Sequence, residues 1–171
     1  MRHFRTFSVL VTLLVASLTL GPAADAQNID LSLGAFVGFG GSPDSDGYGG
    51  SGFQLMAAME LTNDAVTGLR FGELGVDLEN GLESDLTYLT LGTEYRRDAD
   101  YYESGLLIGI GYYQIDGGGI DEDSLGLNLG VTGEFKINDR FSAVVEFSGH
   151  YADFDDLQIF IMGHAGIVFH L

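Results

Sequence analysis

Glu146, Ser148 and His150 hold the side chains of a hydrolytic triad at alternate positions of one short segment. A serine nucleophile needs its histidine base within hydrogen-bond reach. Alternate residues of a strand lie about 6.6 Å apart along it, which predicts that Ser148 and His150 are too far apart to hydrogen-bond. The spacing therefore indicates no catalytic site, and we expect Glu146 and His150 to belong to a structural polar network.

Acidic residues offer a second chemistry, the binding of Ca²⁺ or Mg²⁺ through hard oxygen ligands. The candidates are Asp121, Glu122, Asp123, Asp153, Asp155 and Asp156. Neither run has the spacing of a calcium-binding loop. The favoured interpretation is a solvated acidic surface, with diffuse binding of divalent cations that bridge these carboxylates to phosphate groups as the open alternative.

The elements that must position these residues follow a pattern of period two, which is typical of strands. The alternation is clearest over 157–171, where one face is wholly apolar or small. It recurs over 29–39, 53–61, 88–96, 102–112, 125–136 and 141–151. In segment 67–78 the apolar phase changes, and a bulge near Gly72 and Glu73 would restore it. Eight strands are therefore expected.

The residues on the second face of these strands indicate whether the protein lies in water or in a membrane. It carries Ser, Thr, Gly, Gln, Glu and His, whereas a water-facing surface usually carries many charges of both signs. Such a face suits the filled interior of an eight-stranded barrel, where buried charges must be paired. The predicted interior network consists of Glu60, Arg70, Glu94, Arg96, Glu134, Lys136, Glu146 and His150.

The connections between strands alternate in kind. Those after the first, third, fifth and seventh strands are rich in Gly and acid, and the others are turn-like. An up-and-down meander places these two kinds at opposite ends of a barrel. Aromatic residues lie near both ends of the strands, as expected for rings at the two interfaces of a bilayer.

The N-terminus resembles an export signal. Arg2 and Arg5 precede an apolar run over 8–20, and Ala24-Asp-Ala26 supplies a cleavage site, so residues 1–26 are predicted to be removed. Residues 27–171 would then form one barrel domain. The formal net charge of −18 argues against binding to nucleic acid.

With this leader, eight strands and the closing segment 161–171, the chain resembles the small outer-membrane β-barrel family. That family includes the OmpA transmembrane domain, OmpX and opacity-type proteins. Its members usually end in an aromatic residue that the barrel-assembly machinery reads. Here Leu171 is last and Phe169 lies two places earlier on the same face, so this pair is the expected assembly signal. The resemblance implies a bacterial outer-membrane location, lipid and lipopolysaccharide as partners, a monomer and no cofactor.

The sequence thus predicts an all-β fold, an eight-stranded antiparallel up-and-down transmembrane β-barrel. The expected function is non-enzymatic, with a structural or surface-interaction role. Two alternatives stay open: a narrow passive pore for small solutes, and a secreted barrel that carries a small apolar ligand.

Overall fold

The protein forms a closed barrel of eight antiparallel strands in chain order. The computed structural model describes residues 30–43, 49–62, 64–77, 83–99, 101–154 and 158–171, so the predicted leader lies outside the described residues. The predicted fold class is confirmed. The strands are β1 (Leu31–Gly41), β2 (Gly49–Thr62), β3 (Ala65–Asp77), β4 (Glu83–Asp98), β5 (Glu103–Gly117), β6 (Ile120–Asn138), β7 (Phe141–Ala152) and β8 (Ile159–His170).

The outer wall of the barrel is apolar along the middle of every strand. On β1, for example, Val37 points outward and is 71% exposed, whereas its neighbour Phe36 points inward and is buried. A monomer in water rarely exposes a continuous apolar surface of this extent. The outer wall is therefore built to face lipid, with aromatic rings near both of its borders. In the part of the chain that is described, no helix is long and apolar enough to cross a membrane.

Strand β3 keeps one phase from end to end, so the predicted bulge near Gly72 and Glu73 is wrong. Arg70, Leu74 and Val76 all point inward and are buried, and β3 pairs with β4 without a break. The register irregularity lies in β2 instead, between Gly49 and Gly52. The sequence pattern was misleading because this end of the barrel interior is apolar, so apolar residues of β3 belong inside there.

The connections after β1, β3, β5 and β7 meet at one end, called the acidic end, and those after β2, β4 and β6 meet at the other, the turn end. At the acidic end, Gly117 pairs with Ile120 across a two-residue turn. Gly118 and Gly119 form this turn with φ of 60° and 91°, a region that residues with a Cβ avoid. The predicted loop at Asp121–Asp123 is thus wrong, because these residues already belong to β6.

Two groups of buried apolar side chains divide the interior into levels. The acidic-end cluster comprises Leu74, Val76, Leu86, Tyr88, Tyr113, Ile115, Ala152, Phe154, Phe160 and Met162. The lower cluster comprises Phe36, Met56, Ala58, Val66, Val144 and Val168. Along β3, Arg70 lies between Val66 of the lower cluster and Leu74 of the acidic-end cluster. The acidic-end cluster therefore covers Arg70 on the side of the acidic end, and Val66 of the lower cluster lies directly opposite Glu94 of β4.

Candidate functional site in the barrel interior

Arg70 is the central cation of the interior. Its Nε lies 2.9 Å from Oε2 of Glu146 on β7, and its Nη2 lies 3.3 Å from Oε2 of Glu94 on β4. All three side chains are buried. Inward-facing positions of three strands thus bring together residues that are far apart in sequence, and the pairing offsets part of the cost of removing each charge from water.

Arg96 extends this network toward the turn end. Its Nε donates to Oε1 of Glu94 at 2.9 Å, and Oγ1 of Thr132 donates to the same oxygen at 2.8 Å. Its Nη1 lies 3.0 Å from Oε2 of Glu134 and 3.6 Å from Oε2 of Glu103. Glu94 therefore bridges two arginines, which ties β3, β4, β5 and β6 together inside the barrel.

Two further predicted members, Lys136 and Glu60, lie at the rim. Lys136 pairs with Glu103, but its side chain is 68% exposed. Glu60 was placed in the network wrongly. It is exposed near the end of β2, where the register with β3 becomes irregular, and no ion pair joins it to the other network residues that are described. The inward phase continues to Glu60, but at this end of β2 the side chain is exposed to solvent.

His170 is a network residue that the sequence interpretation did not include. Its Nδ1 lies 3.0 Å from Oγ of Ser32, and its Nε2 lies 3.0 Å from Oγ of Ser142 and 3.0 Å from Oε1 of Glu134. These contacts join β8 to β1, β7 and β6. The sequence pattern could have identified His170 as an interior residue, since it lies on the inward phase of the last strand.

A chain of polar groups continues from Glu146 toward the acidic end. Nε2 of Gln54 donates to Oε1 of Glu146 at 3.4 Å, and Oη of Tyr88 donates to Oε1 of Gln54 at 3.0 Å. The same Tyr88 hydroxyl lies 3.3 Å from Nε2 of His164. Because Tyr88 is also part of the acidic-end cluster, the polar chain ends beneath apolar side chains.

Ser148 and His150 are in contact, so the separation predicted from strand geometry is wrong. Oγ of Ser148 lies 2.9 Å from Nε2 of His150, and Nδ1 of His150 lies 2.9 Å from Oη of Tyr113. The side chains lean along the strand and close the gap between their backbones. Glu146 does not complete a triad, because its carboxylate binds Arg70. Ser148 is only 4% exposed and lies inside the barrel, so a substrate has no direct access to it.

The acidic residues do not assemble into a metal site within the described part of the chain. Asp121, Asp123 and Asp153 are exposed. Asp155 and Asp156, which were predicted to contribute to cation binding, lie outside the described residues. Diffuse binding of divalent cations thus stays a prediction.

The predicted assembly signal lies at the turn end of β8. Phe169 packs against Phe141 of β7, with ring centroids 5.1 Å apart. Leu171 is exposed, and its backbone N–H donates to the carbonyl of Leu31 at 2.9 Å. Both residues are thus located beside the seam between the last and first strands, and their recognition by an assembly machinery stays a prediction.

No protein-family model and no curated protein matches this chain, but solved structures do. It is similar to a major outer membrane protein from Thermus thermophilus, at 17% identity over 85% of this chain and 100% of that one, with a TM-score of 0.66. It is also similar to Neisserial surface protein A, at 15% identity over 85% of this chain and 99% of that one, with a TM-score of 0.58. A third similar structure is that of Ail, the attachment invasion locus protein of Yersinia pestis. The identity is 21% over 84% of this chain and 97% of that one, and the TM-score is 0.52.

The barrel closure, the apolar outer wall and the filled polar interior define a small transmembrane β-barrel. Within that class, the chain has the fold of the small bacterial outer-membrane proteins, as the sequence resemblance predicted. At these identities the likeness is one of fold, and fold alone does not determine function.

Proposed function

We propose that the protein is an integral outer-membrane β-barrel with a structural or surface-interaction role, and that it is neither an enzyme nor an open channel. The observation that carries this proposal is the filled interior. The ion pairs of Arg70 and Arg96 cross it, and the acidic-end cluster closes it above them. Eight-stranded barrels of this kind are packed with side chains and leave no aqueous channel.

The outer-membrane location is supported by the outer wall, by the proteins of similar fold and by the predicted leader. Large apolar side chains such as Val37, Ile110 and Leu125 face outward and stay exposed, as they must in a lipid-facing wall. The proteins with a similar fold include a major outer membrane protein of Thermus thermophilus. The predicted leader over 1–26 would direct the chain out of the cytoplasm.

The two alternative functions are less well supported. A passive pore needs a continuous polar path, and the polar chain from Gln54 to His164 ends beneath buried side chains such as Phe160 and Met162. A secreted carrier would direct its apolar face inward around a ligand and its polar face to water. In this barrel the outer wall carries exposed apolar side chains, which a carrier in water would not present.

The acidic end is the surface proposed for interaction with other molecules. Ail was solved in complex with the heparin analogue sucrose octasulfate, a polyanion. A net charge of −18 and exposed carboxylates such as Asp116, Asp121 and Asp123 disfavour a polyanion here. We therefore favour cationic partners, including divalent cations that bridge the surface to lipopolysaccharide phosphates. The barrel would act as a monomer that is inserted by the barrel-assembly machinery.

Conductance of the purified barrel in planar bilayers, combined with gel migration before and after heating, tests the proposal. We expect heat-modifiable migration, solubility only in detergent and no ohmic conductance above the bare bilayer. A Phe154→Ala/Phe160→Ala variant, which shortens two large side chains of the acidic-end cluster, is the matched control for a loosened closure. Steady conductance of the unmodified protein would support the pore, and monodispersity without detergent would support the carrier.

A further inference from the structure

The barrel wall is higher on one side than on the other at the acidic end. Strand β6 pairs with β5 from Ile120 onward, but with β7 only from Gly126 onward. Beyond that point, the N–H of Asp153 donates to the Ser124 hydroxyl at 3.0 Å, and this hydroxyl donates to the Leu125 carbonyl at 3.0 Å. The Ser124 side chain thus ends the β6–β7 ladder, and no strand of the described residues continues it along β6.

The turn geometry determines which backbone groups face this open edge. Gly117 and Ile120 flank a two-residue turn, so they form a hydrogen-bonded pair, and pairs alternate from there. Asp121 and Asp123 consequently point their N–H and C=O groups away from β5, toward the side that β7 leaves open. An edge of this kind is a template for an additional strand.

Acidic side chains line the outer face of the same region. Asp85, Asp116 and Asp121 are directly opposite one another on β4, β5 and β6, and all three are exposed. We call these three residues the aspartate row. Like charges directly opposite one another destabilise a sheet. The row ends at the open edge, so the next position in register would be filled by a residue of an added strand.

We propose that this edge of β6, at Asp121 and Asp123, binds an extended peptide segment with Lys or Arg at every second position, which pairs as an additional strand and extends the aspartate row with a cation. Side chains on one face of a strand recur every second residue, which matches the spacing of Asp121 and Asp123. A second copy of this chain is a poorer occupant, because edge-to-edge pairing would place carboxylates opposite carboxylates. The inference rests on the proposed surface-interaction role and specifies its partner class.

Titration of the full-length barrel in detergent with a nine-residue peptide of alternating Lys and Thr tests the proposal. The lysines that face Asp121 and Asp123 across the edge form hydrogen-bonded pairs with them. N-methylation of the lysine amides is therefore expected to abolish binding, whereas N-methylation of the threonine amides leaves it unchanged. A Glu–Thr peptide of the same length should not bind.

Two substitutions at one position separate the backbone contribution from the charge. Asp123→Asn keeps the N–H and is expected to weaken binding up to about fivefold, as for an exposed ion pair. Asp123→Pro removes an N–H that β5 does not use, and is expected to weaken binding at least about tenfold. Unchanged heat-modifiable migration verifies that both variants fold.

The proposal is overturned if the Lys–Thr peptide does not bind, or if both N-methylated peptides bind equally. It is also overturned if Asp123→Pro weakens peptide binding no more than Asp123→Asn does. Sedimentation that finds a second barrel at the edge would overturn it as well. Equal binding of both methylated peptides would indicate attraction between charges alone. These measurements use purified protein and do not depend on conductance. A conducting barrel would refute the proposed closure of the interior without affecting this edge. Conversely, failure of the peptide to bind would refute the edge proposal without affecting the closure.

Discussion

Replacing Arg70 with Met tests whether the interior network stabilises the barrel through its charges. The Arg70 side chain is 4% exposed and holds Glu146, which is 1% exposed. After the substitution, Glu94 keeps Arg96 and Thr132, whereas Glu146 keeps, among the residues that the structure describes, only a 3.4 Å hydrogen bond from Gln54. Removing one partner of a buried ion pair costs about 3–5 kcal/mol, because the other charge is left uncompensated. We expect a loss of this size in the free energy of unfolding.

The double variant Arg70→Met/Glu146→Gln removes both charges and keeps the shape of the side chains. It is expected to recover about 2–3 kcal/mol of the loss, which is the coupling expected for residues in direct contact. Lys136→Met is the matched control. It also removes a cation that pairs with a glutamate, but at an exposed position, so it should cost at most about 1 kcal/mol.

Urea unfolding of the barrel in lipid vesicles measures these differences. The chain has no Trp, so tyrosine fluorescence, circular dichroism and gel migration report the transition. The reasoning is refuted if Arg70→Met costs no more than Lys136→Met, or if Glu146→Gln adds a further loss to Arg70→Met. Either result would indicate that water reaches Glu146 and replaces the arginine.

Further outcomes follow from the same structure. Leu129→Arg on the outer wall should cost about 2–4 kcal/mol in vesicles, and Leu125→Arg, closer to the acidic end, at most about 1 kcal/mol; equal costs would contradict the assigned membrane level. Phe160→Ala, in the acidic-end cluster, should cost about 3–5 kcal/mol by urea unfolding, and a loss below about 1 kcal/mol would mean that this cluster is loosely packed. Gly118→Ala should cost about 1–2 kcal/mol and speed amide exchange in the β5–β6 hairpin, because φ is +60° there. A fluorophosphonate probe should label no serine on intact barrels by mass spectrometry, and labelling of Ser148 would reveal a substrate path that the buried position does not suggest.

The pattern of period two was sufficient to predict eight strands and, outside β3, the face that each strand turns to lipid. It failed in β3, where Leu74 and Val76 are apolar and yet point inward. Hydropathy separates apolar from polar faces, but it does not separate lipid from an apolar layer inside the barrel. Only the pairing of β3 with its neighbours distinguishes the two, and that pairing depends on residues distant in sequence.

Predictions about contacts within the site were less successful, for geometric reasons. The Ser148–His150 distance was inferred from backbone spacing, whereas the contact depends on how the two side chains lean. Glu60 has the inward phase but is exposed near the end of β2, because the level at which neighbouring strands stop covering a position depends on strand stagger. Asp121–Asp123 resembled a loop by composition, yet the turn at Gly118 and Gly119 lets β6 begin before them.

The contacts of His170 bear on how the chain folds. Ser32 and His170 are separated by 138 residues in sequence, so their hydrogen bond can form only after the C-terminal strand has met the N-terminal one. Contacts of such separation carry a large entropic cost and form late. A chain that has inserted its first strands but not its last lacks the Ser32, Ser142 and Glu134 contacts together. His170 therefore distinguishes a completely assembled molecule from every partly inserted intermediate, and the arrival of the last strand gives Oε1 of Glu134 a contact that Arg96, which pairs with Oε2, does not supply.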